Sequence, residues 1–226
     1  MNTSAGFIFD MDGTMVDNMM VHHRAWQTRL AQAGLDLTLD EVVARCHGRN
    51  DEILLRLFGD RFSADERQQI SREKEAQYRA TFRPQLKLIN GLPEFLQAAF
   101  DLGIPMGIGT AANIENVDFV LDTLNIRHFF GAILCEQDVV KGKPDPEVFL
   151  KAADALGVPR AQCLVFEDSP TGARAARNAG MKAVILTTTH QRAEFAEFET
   201  VAAFAADYTS LSVTQLRDLV GRTVSV

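Results

Sequence analysis

Phe7-Ile8-Phe9 is a short apolar run that ends abruptly in Asp10-Met-Asp12-Gly13, and this junction constrains the chain more than any other stretch. Uninterrupted apolar residues over so few positions describe a strand buried on both faces, which belongs to a parallel sheet. In such sheets ligands collect beyond the carboxyl ends of the strands, so Asp10 and Asp12 are expected at the mouth of a crevice, with Gly13 turning the backbone away. Asp-x-Asp-Gly taken alone also describes an acidic turn or a calcium loop, so partners elsewhere in the chain have to decide.

The pattern that follows is helical from Asp17 to about Arg83-Pro84. His22, Trp26 and Leu30 recur four residues apart before Gly34; Ile53, Leu54, Leu57 and Phe58 mark a second helix; Ser63 with Glu66 is a capping box for a long third one through Ile70, Lys74 and Tyr78. From Leu88 onward strands and helices alternate, the signature of crossover units. Strands are expected at 105–109, 132–134, 163–166 and 183–186, the last clear one. Helices are expected around Leu92–Phe100, from Asn113, from Asp145-Pro146 to Leu156, and from Ser169-Pro170 to Ala179. Beyond Thr187 the signal weakens until a terminal helix over Leu211–Val220. The expected fold is α/β, a Rossmann-like, doubly wound parallel sheet core (residues 1–16 with 85–226) carrying an inserted all-helical cap (17–84).

Asp10 with Asp12, Thr110, and Glu167 with Asp168 each follow one of these strands, and Lys143 lies in the loop Lys141-Gly-Lys-Pro. Convergence of such groups beyond successive strands describes a catalytic site rather than solvation. Four carboxylates against one lysine leave a charge of −3, and each like-charged pair near 4 Å costs roughly 4 kcal/mol at a surface-like dielectric. A divalent cation is therefore expected. Oxygen-only ligands select a hard ion, and Mg²⁺ shared with a substrate phosphate is the common solution.

These motifs together, Asp10-Met-Asp-Gly-Thr, Thr110, Lys143-Pro-Asp-Pro and Glu167-Asp-Ser-Pro-Thr-Gly in that order, resemble those of haloacid dehalogenase superfamily phosphotransferases, in the branch of β-phosphoglucomutase and sugar-phosphate phosphatases. The resemblance implies Asp10 as the nucleophile that becomes an aspartyl phosphate, and Asp12 as general acid and base. Thr110, Ala111 and Lys143 would bind the transferring phosphoryl group, and Asp10, the Asp12 carbonyl, Glu167 and Asp168 would hold Mg²⁺. It also implies a cap that closes over the site, with His22, Arg49 and Lys74 as substrate-binding candidates. Each has a plainer reading: His22 as a packed histidine beside Trp26, Arg49 as a solvated loop cation, Lys74 snorkelling along an apolar face. His23 and the remaining cap charges read as surface.

The sequence departs from the mutase at Ala112 and Asn113, where that enzyme has a serine and a lysine for the substrate's second phosphate. A phosphatase acting on a small phosphorylated metabolite, a sugar phosphate for preference, is therefore expected, with the mutase as alternative and a silent binding module of the same fold as a more distant one. A net charge of −7 over 226 residues and a pI near 5.3 argue against a nucleic-acid partner. Cys46, Cys135 and Cys163 form no Cys-x-x-Cys, which fits reduced thiols in the cytoplasm. No apolar run is long enough for a membrane span, and a monomer is expected.

Overall fold

The computed structural model describes residues 5–220. Two compact units divide the chain, one made of the chain up to Asp17 together with the chain from Lys87 onward, the other of Asn18–Leu86. The expected boundaries lay at 16/17 and 84/85.

The discontinuous unit is built on six strands: β1 (Gly6–Phe9), β2 (Met106–Gly109), β3 (Ala132–Leu134), β4 (Cys163–Glu167), β5 (Lys182–Leu186) and β6 (Val201–Ala205). Their order is β3-β2-β1-β4-β5-β6 and every pairing is parallel, with Phe9 level with both Ile108 and Phe166. The strand reversal between β2 and β4 therefore falls at β1, the place where an open α/β sheet leaves its crevice.

Period-two alternation sends β1 side chains to opposite faces. Ile8 joins Val165, Ala183 and Ile185 in a core with Phe149 and Ala152, and with Ala173 and Ala176. Phe7 and Phe9 instead pack among Phe95, Phe166 and Tyr208, with the Phe9 and Phe166 rings stacked 4.5 Å apart. Burial on both faces is the reason the strand carries no polar residue until its end.

The Asn18–Leu86 unit holds α1 (Met19–Gln32), α2 (Leu39–Arg45), α3 (Asn50–Phe58) and α4 (Ala64–Phe82), around a core of Trp26, Leu30, Val42, Ile53 and Leu54. The Ser63/Glu66 capping box opens α4 as expected. Helix α2 was not anticipated, although Thr38 and Glu41 form the same reciprocal cap at its start. The sheet unit carries α5 (Leu92–Asp101), α6 (Ile114–Thr123), α7 (Glu147–Leu156), α8 (Pro170–Asn178) and α9 (Val213–Val220). Strand β6 was also not anticipated. Val-Ala-Ala-Phe-Ala offers little apolar bulk, and as an edge strand it is only partly buried, so its membership of the sheet is decided by the pairing with β5.

Candidate active site

Asp10 continues β1 directly, its N–H donating to the Phe166 carbonyl at 2.9 Å, and the carboxyl is buried. The backbone then turns at Gly13 (φ +77°), whose N–H donates to the Val16 carbonyl at 2.8 Å. A Cβ at Gly13 would run into the Asp168 carboxylate. Here a side chain is excluded twice, by conformation and by the approach of β4's terminal loop.

Lys143 ties the strand ends together. Its Nζ donates to Asp10 Oδ1 and Glu167 Oε1, each at 2.7 Å, with the ammonium 4.6 Å from the centre of the Phe149 ring. Glu167 is held further: its Oε2 accepts from the Asp168 and Ser169 amides, both at 2.9 Å, and from Ser169 Oγ at 3.0 Å. Ser169 also caps α8, its Oγ accepting from the Gly172 amide at 3.0 Å. A Cβ on Gly172 would overlap the Glu167 carboxylate, so the glycine in Ser-Pro-Thr-Gly is a space requirement as well as a helix residue.

Asp10 and Glu167 share one lysine at the same distance and yet shift in opposite directions. Burial pushes the Asp10 carboxyl up to about 7 against the pull of Lys143, with Glu167 and Asp12 adding to the rise. Burial acts on Glu167 as well, but Lys143 and the Ser169 and Asp168 amides outweigh it and hold this carboxyl below its ordinary value. The donor count separates the two, since a carboxylate receiving several hydrogen bonds keeps its charge. Asp168 is driven well upward by burial and by the charges of Glu167 and Asp10. Lys143 is raised by Asp10 and Glu167 although burial alone would lower it. The apolar wall behind the site is the Phe7, Phe9, Phe95, Phe166 and Tyr208 layer; the buried Tyr208 hydroxyl donates to the Thr14 carbonyl at 3.1 Å.

Carboxylate oxygens of Asp10, Glu167 and Asp168 lie within 4.8 Å of one another, all three residues buried. One lysine does not balance three carboxylates, and burial, to which the neighbouring negative charges add, raises both Asp10 and Asp168. An all-oxygen donor set with excess negative charge fits a hard divalent cation such as Mg²⁺. Asp12 is partly exposed and is not one of these three.

Thr110 follows β2, buried, with its N–H donating to the Leu134 carbonyl at 3.0 Å. Its Oγ accepts from the Ala112 amide at 3.1 Å, which leaves the hydroxyl proton to donate elsewhere. Ala111 is exposed and has only backbone polarity to offer. Ala112 is buried, and the Asn113 side chain accepts from the Asn116 amide at 2.9 Å as the N-cap of α6. Neither residue supplies a side-chain hydroxyl or a cation at this strand end.

In the helical unit, His22 is buried and stacks on Tyr78 with ring centres 3.7 Å apart. Lys74 does not snorkel: its ammonium is buried, 2.8 Å from His22 Nδ1 and 2.8 Å from Glu75 Oε1, and 5.3 Å from the centre of the Trp26 ring. Arg49 is half-buried at the start of α3, its Nε 3.6 Å from Asp51. Reading all remaining cap charges as surface was wrong for Glu75, which is 4% exposed and also accepts from Asn50 at 2.7 Å. Burial alone would raise its pKa, but Lys74, His22 and Asn50 bring it down to about 2. His23 is likewise partly buried. Sequence gave no warning about Glu75, because its partners lie on α3 and α1 as well as beside it.

Tyr208, Thr188 and Thr189 also reach the loops of the site, through the Thr14 carbonyl, the Gly13 carbonyl and the Asp168 carboxylate respectively. The run Thr187-Thr-Thr-His190 directly after β5 carries the same signal that identified the other strand ends, a cluster of polar groups where an apolar strand stops.

A family model described as haloacid dehalogenase-like hydrolase matches residues 5–180. Fructose-1-phosphate phosphatase YqaB of Escherichia coli is 34% identical over 182 residues, covering 80% of this chain and 95% of that protein. β-Phosphoglucomutase of Bacillus subtilis is 32% identical over 187 residues, covering 78% and 80% respectively. The crystal structure of a family IA, variant 3 hydrolase from Entamoeba histolytica superimposes with a TM-score of 0.87 at 23% identity, covering 96% of this chain and all of that one.

Proposed function

The chain belongs to the haloacid dehalogenase-like hydrolases, and from that premise we propose that it is a Mg²⁺-dependent phosphohydrolase that cleaves a small phosphorylated sugar through an aspartyl phosphate on Asp10. The observation that carries this reading is the buried network at the end of β1, where Asp10, Glu167 and Asp168 converge around a single lysine.

In the proposed reaction Asp10 attacks phosphorus while Asp12 gives a proton to the leaving sugar oxygen, so one P–O bond forms as the other breaks. Asp12, now ionised, then takes a proton from water, whose oxygen attacks the aspartyl phosphate and returns Asp10 as a carboxylate. Lys143 is already fixed by Glu167 and neutralises charge on the phosphoryl oxygens, and the free proton of the Thr110 hydroxyl points to a second donor. The Ala111 amide is a further candidate. Mg²⁺, held by Asp10, Asp168, Glu167 and the Asp12 carbonyl, would offset the charge of the carboxylates and phosphate and keep Asp10 ionised despite its raised pKa. His22, Arg49 and Lys74 are proposed to set substrate choice. The enzyme is proposed to act in the cytoplasm, as a monomer, on a small metabolite; three free and buried cysteines fit that compartment. Among the described residues no helix is long and apolar enough to cross a membrane.

Phosphate release from a panel of phosphorylated sugars, with Mg²⁺ and with excess chelator, tests the proposal. Release in Mg²⁺ and silence in chelator are expected, with Ca²⁺ a poor substitute because its larger, looser coordination suits the geometry less well. Full activity in chelator would overturn it.

Mutase activity is the second reading, favoured by the 32% identity to β-phosphoglucomutase. Against it stand the buried Ala112 and the use of the Asn113 side chain as a helix cap. Incubation with β-glucose 1-phosphate, Mg²⁺ and a trace of β-glucose 1,6-bisphosphate separates the two. Free phosphate and glucose support hydrolysis; glucose 6-phosphate formed far faster than phosphate establishes the mutase.

A further inference from the structure

Neither the reaction above nor the resemblance uses the loop after β5, yet it touches both acidic loops. Thr188 Oγ donates to the Gly13 carbonyl. Thr189 Oγ donates to the Asp168 carboxylate at Oδ2, lies 3.2 Å from the Asp168 carbonyl, and stands 2.8 Å from His190 Nδ1. A hydroxyl has one proton. With that proton on Asp168, Thr189 is an acceptor toward His190, which sets His190 as the Nδ1–H tautomer. The result is a chain from imidazole through hydroxyl to carboxylate, with Asp168 also pressed against Gly13, where a Cβ would overlap it.

Rotation about the last bond of an aspartate is only weakly restricted. A carboxylate that must present one oxygen to a shared cation therefore needs something outside the ligand set to hold it. We propose that Thr189, itself oriented by His190, is a positioning residue that fixes the Asp168 carboxylate for cation binding, while Thr188 secures the Gly13 turn on which that carboxylate rests. This rests on Asp168 being a cation ligand, as proposed above. Removing such an outer partner costs about 10- to 100-fold in metal affinity in other metal sites.

The experiment measures Mg²⁺ affinity by titration calorimetry, together with the melting temperature in the absence of metal, for the full chain and four variants. Thr189→Val keeps the shape of the side chain and loses the hydroxyl; Thr189→Ser restores the hydroxyl; His190→Leu leaves Thr189 in place without its imidazole; Asp168→Asn is the ligand control. Thr189→Val is expected to bind Mg²⁺ at least ~10-fold more weakly and Thr189→Ser to stay within about threefold of wild type, with His190→Leu between them. Without metal, Thr189→Val is expected to melt below wild type, because it gives up a hydrogen bond to a buried carboxylate, but to stay folded at the temperature of the titration, so that its weaker binding reports positioning and not unfolding. If Asp168→Asn loses binding while Thr189→Val and His190→Leu both bind like wild type, the inference is overturned and the reading of Asp168 survives. If Asp168→Asn binds like wild type, that reading fails and the inference falls with it.

Discussion

Gly172→Ala sets two effects of opposite sign against each other, and the structure decides between them. Gly172 lies within α8, where alanine should be better than glycine by about 1 kcal/mol on helix propensity alone. The new methyl group, however, would occupy the space of the Glu167 carboxylate. A carboxylate at the end of a flexible side chain ordinarily moves aside at little cost. This one accepts from Lys143, the Asp168 amide, the Ser169 amide and Ser169 Oγ, and it is 1% exposed. Hydrogen bonds to charged groups contribute about 1.5–3 kcal/mol each, so losing two of the four costs roughly 3–6 kcal/mol. The net effect is a destabilisation of about 2–5 kcal/mol after the propensity gain, with a fall in kcat because Lys143 loses half of its anchorage. Urea denaturation read as a double-mutant cycle with Glu167→Ala isolates the cause. In the Glu167→Ala background the overlap is gone, and Gly172→Ala should stabilise by about 1 kcal/mol. Equal effects of Gly172→Ala in both backgrounds would refute the reasoning.

Asp10→Asn is expected to abolish phosphate release while the urea midpoint stays close to wild type, and radiolabelled substrate should leave no label on it; turnover near the wild-type rate would assign the nucleophile elsewhere. Asp12→Ala should lose roughly 10²–10⁴-fold in kcat, the usual worth of a positioned acid and base, with the cation affinity measured by calorimetry less affected than in Asp168→Asn. Glu75, held at about 2 against an ordinary 4.5, contributes stability that is complete above pH 4.5 and is lost as pH falls toward 2, on the order of 3 kcal/mol at about 1.4 kcal/mol per unit. Glu75→Gln should therefore be less stable than wild type at neutral pH and converge with it only as the pH falls to about 2; parallel stability curves for the two proteins would show that the carboxylate is not held by its neighbours.

The segments most legible in the sequence are those whose local pattern and tertiary role coincide. Phe7-Ile8-Phe9 reads as a doubly buried strand because both faces of β1 are covered, and Ser63 with Glu66 reads as a cap because capping is settled within four residues. Asp10, Thr110, Glu167 and Asp168 are visible for a related reason: each lies at or just past the end of an apolar strand, and in a parallel sheet such groups share one end. Strand β6 was not legible, since Val-Ala-Ala-Phe-Ala becomes a strand only through the hydrogen bonds β5 offers it. The Thr188-Thr189 pair obeys the same strand-end rule, but it stands where the apolar pattern of the sequence weakens.

By itself, then, the sequence determined the parallel sheet with its helical insertion, the acidic strand ends and the presence of one lysine among them, because these follow from periodicity and from charges that burial would make costly. Only the tertiary structure decided which carboxylate the lysine leaves underprovided, that Gly172 makes room for Glu167, that Thr189 reaches Asp168, and that Glu75 is buried with Lys74. Those facts depend on distances between residues far apart in the chain. Pairwise electrostatics and steric exclusion act over a few ångströms of space, and no local pattern carries them.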